Sequence, residues 1–340
     1  MKKYYLITWM LVLLLSGASF GKDVTKVGTT AARFLNIDVG PRGIGMGSAY
    51  VALVEDATAS YWNPAALGLI DGNQAYFGHT QWIMDVVSNY VSIASTIPRL
   101  GTLAVNAKFL SMGEMERTTI AQPDGTGEFF DAASYALGVS YAKNLTDRVS
   151  VGFTGKYIAE RIYQSSSQGL ALDIGTLYRT GFHGLNIGMS ITNYGTKMQM
   201  DGRDLLIQHD ISDPIEGNNP NINARLTTDA YDIPLLFRFG LSMNVLEKNS
   251  KNDLYLAVDA LHPNDDKESV NVGFEYVHNK LFFLRAGYKS LFLKDNEEGL
   301  CAGAGFAFDI PGLGPLMLDY AYQTTEWLDS FQHFAVKVNF

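Results

Sequence analysis

The stretch Ser134-Tyr135-Ala136-Leu137-Gly138-Val139-Ser140-Tyr141 decides the fold, because its side chains sort by alternate position. Tyr135, Leu137, Val139 and Tyr141 are large and apolar, whereas Ser134, Ala136, Gly138 and Ser140 are small and mostly polar. A strand turns successive side chains to opposite faces, so a period of two puts these sets in two environments; a helix, with about 3.6 residues per turn, would mix them. The sorting recurs along the chain. Val149, Val151, Phe153 and Tyr157 alternate with Ser150, Gly152, Thr154 and Lys156, and Leu170, Leu172 and Ile174 with Ala171 and Asp173. Phe237, Phe239, Leu241 and Met243 alternate with Arg238, Gly240, Ser242 and Asn244, and Val270, Val272, Phe274 and Tyr276 with Asn271, Gly273 and Glu275. Leu300, Ala302, Ala304 and Phe306, then Leu316, Leu318, Tyr320 and Tyr322, repeat the pattern near the end.

From Gln74 to Phe340 such segments number about fourteen, each near the roughly 9–11 residues of a tilted membrane strand. A soluble β-sandwich also alternates, and three features separate the two readings. Aromatic residues at Tyr61, Trp62, Trp82, Tyr90, Tyr163, Tyr178 and Trp327 fall near strand ends, as interfacial girdles do. The face opposite the apolar one carries Gly, Ser, Ala and single charges, which suits a crowded polar lumen. The final strand, Phe334, Val336, Val338 and Phe340, stops on an aromatic residue and reads as the signal taken up by barrel-assembly machinery. The expected fold is therefore all-β, a transmembrane antiparallel β-barrel of about 14 strands. The lumen charges Lys156, Asp173, Arg238, Asp259, Glu275, Arg285 and Asp319 are expected to be paired with one another or with backbone inside the barrel, since unpaired charge there is costly.

The composition agrees. Of 340 residues 47% are hydrophobic, yet after the first apolar run none is long enough to span a membrane as a helix. Lys2 and Lys3, the apolar run over residues 6–15 and the small residues Ser19 and Gly21 mark residues 1–21 as a cleaved export signal. Losing those two lysines takes the formal charge from -9 to -11, which argues against nucleic acid as a partner. The expected location is a bacterial outer membrane, with its lipid as solvent. A single Cys301 excludes an internal disulfide framework and a multi-cysteine metal site.

Residues 22–72 have a different grain and too little core to fold alone, so they are expected to form a plug or hatch with short helices inside a barrel of residues 73–340. Residues 29–35 suit a short helix. Gly40, Gly43, Gly45 and Gly47 follow, and these glycines let a plug pass close to the wall more simply than they make a phosphate loop, which would need a parallel strand and helix around it. Asp56 suits a helix cap, and Asn63 before Pro64 a helix stop just after Trp62. The candidate hatch residues are thus Gly45, Gly47, Asp56, Trp62, Asn63 and Pro64.

Connections fall into two sizes. Tight turns are expected at residues 144–147, 181–184 and 278–280, and loops at 115–131, 163–168, 193–232 and 294–299. Asp201, Asp204, Asp210, Asp213, Asn218, Asn219 and Asn221 offer oxygen ligands in the longest loop, but without the spacing of a calcium loop, and read as solvated chain. The six His residues show no zinc spacing, and no nucleophile or paired-carboxylate constellation stands out. No metal, cofactor or enzymatic activity is expected.

Several strings resemble the PorV/PorQ family of outer-membrane proteins, itself similar to the FadL type of barrel. They are Gly45-Met46-Gly47-Ser48-Ala49-Tyr50-Val51-Ala52, Asp56-Ala57-Thr58, Tyr61-Trp62-Asn63-Pro64-Ala65 and His79-Thr80-Gln81-Trp82. The resemblance continues through Met115-Glu116-Arg117-Thr118-Thr119, Pro123-Asp124-Gly125-Thr126-Gly127-Glu128 and Leu145-Thr146-Asp147-Arg148 to Lys156-Tyr157-Ile158. It is dense over residues 40–160 and rests beyond them on strand rhythm and Phe340. The resemblance implies a plugged fourteen-strand barrel in one of two roles. PorV-like proteins serve type IX secretion, meeting the translocon and receiving exported cargo. FadL-like proteins admit hydrophobic small molecules and release them sideways through the wall. The leading expectation is a secretion component whose outer loop binds translocon or cargo through Met115, Glu116, Thr118, Phe129 and Phe130, the two phenylalanines being apolar enough to anchor a partner. The alternative is a channel for hydrophobic compounds.

Overall fold

Along Ala132–Asn144 the small residues Ser134, Ala136, Gly138, Ser140 and Ala142 are buried, while Leu137 and Val139 are exposed. The same alternation organises fourteen long strands among the described residues of a computed structural model, which are 27–209, 221–246, 251–293, 298–312, 314–326 and 330–340. The expected signal segment lies outside them, as do Asp210, Asp213, Asn218, Asn219 and Trp327. In chain order the strands are β1 (Asn73–Gln81), β2 (Val87–Ile97), β3 (Gly101–Ser111), β4 (Ala132–Asn144), β5 (Val149–Ile162), β6 (Ser165–Arg179) and β7 (Leu185–Gly195). They continue as β8 (Leu236–Asn244), β9 (Asn252–Pro263), β10 (Ser269–His278), β11 (Phe282–Leu291), β12 (Glu298–Ile310), β13 (Gly314–Thr325) and β14 (Phe331–Asn339). Each pairs antiparallel with its neighbours in sequence, and β14 pairs with β1, Ala335 opposite Gly78, so the sheet closes on itself. Closure leaves no unpaired edge, which is the condition for a sheet to sit in hydrocarbon.

Short turns at 98–100, 145–148, 180–184 and 279–281 lie at one end of the barrel, and the long connections 112–131 and 196–235 at the other. Barrels of the outer membrane keep short turns on the periplasmic side, so the long connections face outward. Asn73 and Phe340 exchange backbone hydrogen bonds of 3.2 and 3.0 Å at the periplasmic end.

Residues 27–72 thread the lumen. They form single-turn pieces, Arg33–Asn36, Pro41–Gly45, Ala59–Trp62 and Pro64–Leu69, and of residues 39–67 all but Glu55 are buried. The first piece is shorter and later than the helix expected over residues 29–35, because Ala32 adopts a left-handed conformation (φ 52°) just before it. The wall meets the plug backbone through glycine. A Cβ on Gly273 would lie 2.1 Å from the Met46 carbonyl oxygen, and one on Gly287 2.2 Å from the Gly47 nitrogen, so any side chain there would displace the plug.

Several aromatic residues expected in the girdles are elsewhere. Tyr61 and Trp62 belong to the plug and are buried, and Tyr90 points inward, its hydroxyl 2.6 Å from Ser60 Oγ. Tyr61 and Trp62 stand in the short helix Ala59–Trp62, more than ten residues before β1, and Tyr90 falls on the lumen face of β2, so all three rings fill the interior. Residues 165–168, expected in a loop, extend β6; Ser165 and Ser167 point into the polar lumen, leaving a tight turn at Tyr163 (φ 52°). The outer connection 196–235 is also less irregular than expected, since Leu206–His209 pairs with Ile222–Arg225 in a small ribbon.

Candidate functional site

In residues 39–54 the only charge is Arg42, and its position in a short helix over Pro41–Gly45 aims it across the lumen at β10. Its Nε and NH2 donate to the two carboxylate oxygens of Glu275 at 3.0 and 2.8 Å. Arg285 Nε donates to the same carboxylate at 2.7 Å, and Arg285 NH1 pairs with Asp319. Arg42 NH1 also reaches Glu55 at 2.9 Å, the half-exposed end of the chain. Two buried guanidinium groups thus share two buried carboxylates, the arrangement in which buried charge is tolerable. Arg285 and Glu275 face each other across paired strands, Glu275 opposite Arg285, so the sheet register itself sets one of these bonds.

Two further fastenings hold the plug to the wall, and a third contact, at Trp62, ties the plug to itself. Asp259 Oδ2 accepts from the backbone nitrogens of Tyr50 and Val51 at 2.7 and 2.9 Å. Asn63 Nδ2 bridges the Val51 and Thr176 carbonyls, both at 3.0 Å, and its Oδ1 accepts from Ala65 N, so the residue that stops one helix opens the next turn at Pro64. Trp62 donates to the Val39 carbonyl at 2.9 Å, with Tyr50 and Tyr61 edge-on to its ring. Asp56 accepts from Thr58 N at 2.9 Å just ahead of Ala59–Trp62. Gly45 and Gly47 pass against β12 and β11, where a Cβ would meet the Gly303 Cα at 3.2 Å and the Tyr288 nitrogen at 2.5 Å.

Above the plug, toward the outer mouth, lies a cavity of about 510 Å³. Its floor is Asp38, whose carboxylate takes Lys289 Nζ at 2.9 Å and Ser48 Oγ at 2.6 Å, with Arg238 3.9 Å away. Burial pushes the Asp38 carboxyl up, but Lys289 and Arg238, together with the hydrogen bonds from Lys289 and Ser48, hold it below the usual carboxylate range. Lys289 also pairs with Glu298 at 2.5 Å. Arg238 lies over the rings of Tyr61 and Trp62, 5.5 and 5.3 Å from their centroids, so the vestibule floor rests on the plug's aromatic core. Leu236, Leu261 and Pro263 form a less polar side wall. On the opposite side of the lumen Lys156 pairs with Asp173 at 2.5 Å and with Asn193 Oδ1 at 2.9 Å, where a left-handed Asn193 (φ 62°) makes a bulge between β6 and β7.

All seven lumen charges expected from alternation therefore face inward, in separate groups. Asp38, Arg42, Lys108 and Lys289, which complete or flank those groups, were not singled out. Lys289 stood at the right parity, four residues after Arg285, and Arg42 as the one charge in an apolar stretch; Lys108, which donates to the Leu35 carbonyl at 3.2 Å, sits on the lumen face of β3.

The outer connection 112–131 folds back on itself, Met115–Glu116 pairing with Phe129–Phe130. Arg117 and Glu128 pair at 2.5 Å and Gly127 N donates to Glu116 at 3.0 Å. Met115, Glu116, Thr118 and Phe129 are exposed, as is Ile120 at the tip. Phe130 differs from the expectation: it turns back against the Tyr163 ring at 5.8 Å, so it braces the hairpin rather than offering itself outward. Phe340 is 61% exposed at the far end of the barrel. Among the described residues no group of His, Cys, Asp and Glu is arranged to hold a metal ion.

The family model described as "Type IX secretion system protein PorV" matches residues 20–205, more than half of the chain. No curated protein matches the sequence. Among solved structures, the "CymD monoaromatic hydrocarbon channel" superposes with a TM-score of 0.57 at 12% identity, over 89% of this chain and 96% of that one. A Pseudomonas aeruginosa FadL homologue gives 0.52 at 11% identity, over 89% and 98%. The Pseudomonas putida toluene transporter TodX gives 0.51 at 12%, over 87% and 95%. At these identities the likeness establishes a FadL-like barrel fold.

Proposed function

The chain belongs to the PorV family of type IX secretion system proteins and is an outer-membrane β-barrel; from that premise we propose that it is a non-enzymatic component of protein secretion, engaging a translocon or exported cargo through its outer loops. The observation that carries the reading is the pairing of a filled lumen with an outward hairpin. Residues 39–67 are packed against glycine-lined wall, so the barrel serves as a platform, and Met115, Ile120 and Phe129 present apolar side chains above it. Exposed apolar side chains on a braced hairpin are the form a protein anchor takes. The hydrophobic-uptake alternative has less support, since the cavity at the outer mouth ends on Asp38, Lys289 and Arg238 rather than in a greasy path.

The test is a strain in which the chromosomal copy carries Ile120→Ser with Phe129→Ser. Surface-displayed cargo is expected to fall severalfold while the barrel still shows a heat-dependent shift on a gel. Cargo display that is unchanged with this variant removes the hairpin from the reading. Unchanged display after deletion of the whole gene removes the secretion role.

A further inference from the structure

The first described residues lie at the outer mouth, not at the periplasmic end where β1 begins. Gly28 N donates to the Asp265 carbonyl at 3.3 Å, and Thr30 Oγ1 and Arg33 NH1 donate to the Asp265 carboxylate at 2.5 and 3.0 Å. Asp265 sits in the outer turn between β9 and β10. Ala31 N donates to the Asp232 carbonyl at 2.9 Å in the long outer connection, and Ala32 N to Glu160 near the outer end of β5 at 3.1 Å. Phe34 and Leu35 then pack with Leu110, Ile158, Met198 and Ile233 in a cluster of their own, separate from the core around Trp62.

We infer that the chain is threaded from the outside inward: residues 27–38 form a strap across the outer mouth, latched at Asp265, so that Val27 is reached from the cell exterior. Beneath the strap, every residue of 39–67 except Glu55 is buried, and the wall glycines Gly273 and Gly287 press on the backbone at Met46 and Gly47. The strap also supplies Val27, Arg33, Asn36 and Asp38 to the vestibule, so whatever enters that cavity from outside touches the beginning of the chain.

Val27 is 52% exposed and Cys301 is fully buried, so Val27→Cys adds one accessible thiol. Intact cells are treated with a membrane-impermeant maleimide, with Ile120→Cys on the outer hairpin and Leu145→Cys on a periplasmic turn as orientation markers and the unsubstituted chain as blank. Each variant is first checked for the heat-dependent gel shift of a folded barrel. The expected result is labelling of Val27→Cys and Ile120→Cys on intact cells, and of Leu145→Cys only after the outer membrane is permeabilised. Labelling of Val27→Cys only after permeabilisation, with both markers as stated, overturns the threading. Exchange of the two markers overturns the orientation of the barrel, and the inference with it. Asp265→Ala, which removes the latch, is expected to raise the labelling rate of Phe34→Cys severalfold, and an unchanged rate would refute the latch.

Discussion

Replacing Glu275 by Gln tests how the plug is held. The change keeps the shape of the side chain and removes one negative charge from between Arg42 and Arg285. Arg285 retains Asp319, but Arg42 is left with Glu55 alone, whose side chain is 55% exposed. One buried guanidinium then lacks a buried counter-charge, a defect worth about 3–5 kcal/mol. Glu55→Gln should cost less than about 1 kcal/mol, because solvent already screens that end of the chain. Adding Arg42→Met to Glu275→Gln removes the stranded charge and should recover most of the loss, giving a strongly non-additive cycle. The assay is reversible urea unfolding in phospholipid vesicles, read by tryptophan fluorescence. A loss below about 1 kcal/mol for Glu275→Gln, or a double variant no more stable than the single one, would show that the network is not what fastens the plug.

Other outcomes follow from the same geometry. Gly273→Val drives a side chain into the Met46 carbonyl and should abolish the heat-stable barrel band, whereas Gly155→Val, which meets nothing within 4 Å, should leave it intact. Val139→Arg, at a position 61% exposed on the outer face, should destabilise the barrel by about 2–4 kcal/mol in vesicles if that face meets lipid. Asp38 is held below the ordinary carboxylate range in the folded chain, so its contribution is present above its unfolded value of about 3.9 and is lost as pH falls through the folded value. Asp38→Asn should therefore lower stability at neutral pH and flatten the acid limb of the stability profile; equal acid limbs would argue against a stabilising ion pair between Asp38 and Lys289.

The barrel was legible because lipid and lumen are different solvents, and each strand records both at alternate positions. Leu137 and Ser140 differ in kind for that reason alone, and the parity that separates them also placed Glu275, Arg285 and Asp319 inside. Arg42 with Glu275, by contrast, joins residues 233 apart, and no local pattern in one sequence announces such a partner. Tyr61, Trp62 and Tyr90 differ from a girdle because an aromatic ring suits an interface and a plug equally well, and composition alone does not separate the two. The hairpin at residues 115–130 was legible as a loop, but the inward turn of Phe130 depends on Tyr163, which only folding brings near.

The fastening of Arg42 to Glu275, and of Tyr50 to Asp259, also fixes a sequence of events in time. The segment made early finds these two partners on β9 and β10, strands made some two hundred residues later, so until they form Ile44 and Met46 lack part of their seat. Distant partners make for slow closure and prolonged exposure to aggregation. A chain built this way gains from being kept apart from its neighbours until β9 and β10 are in place.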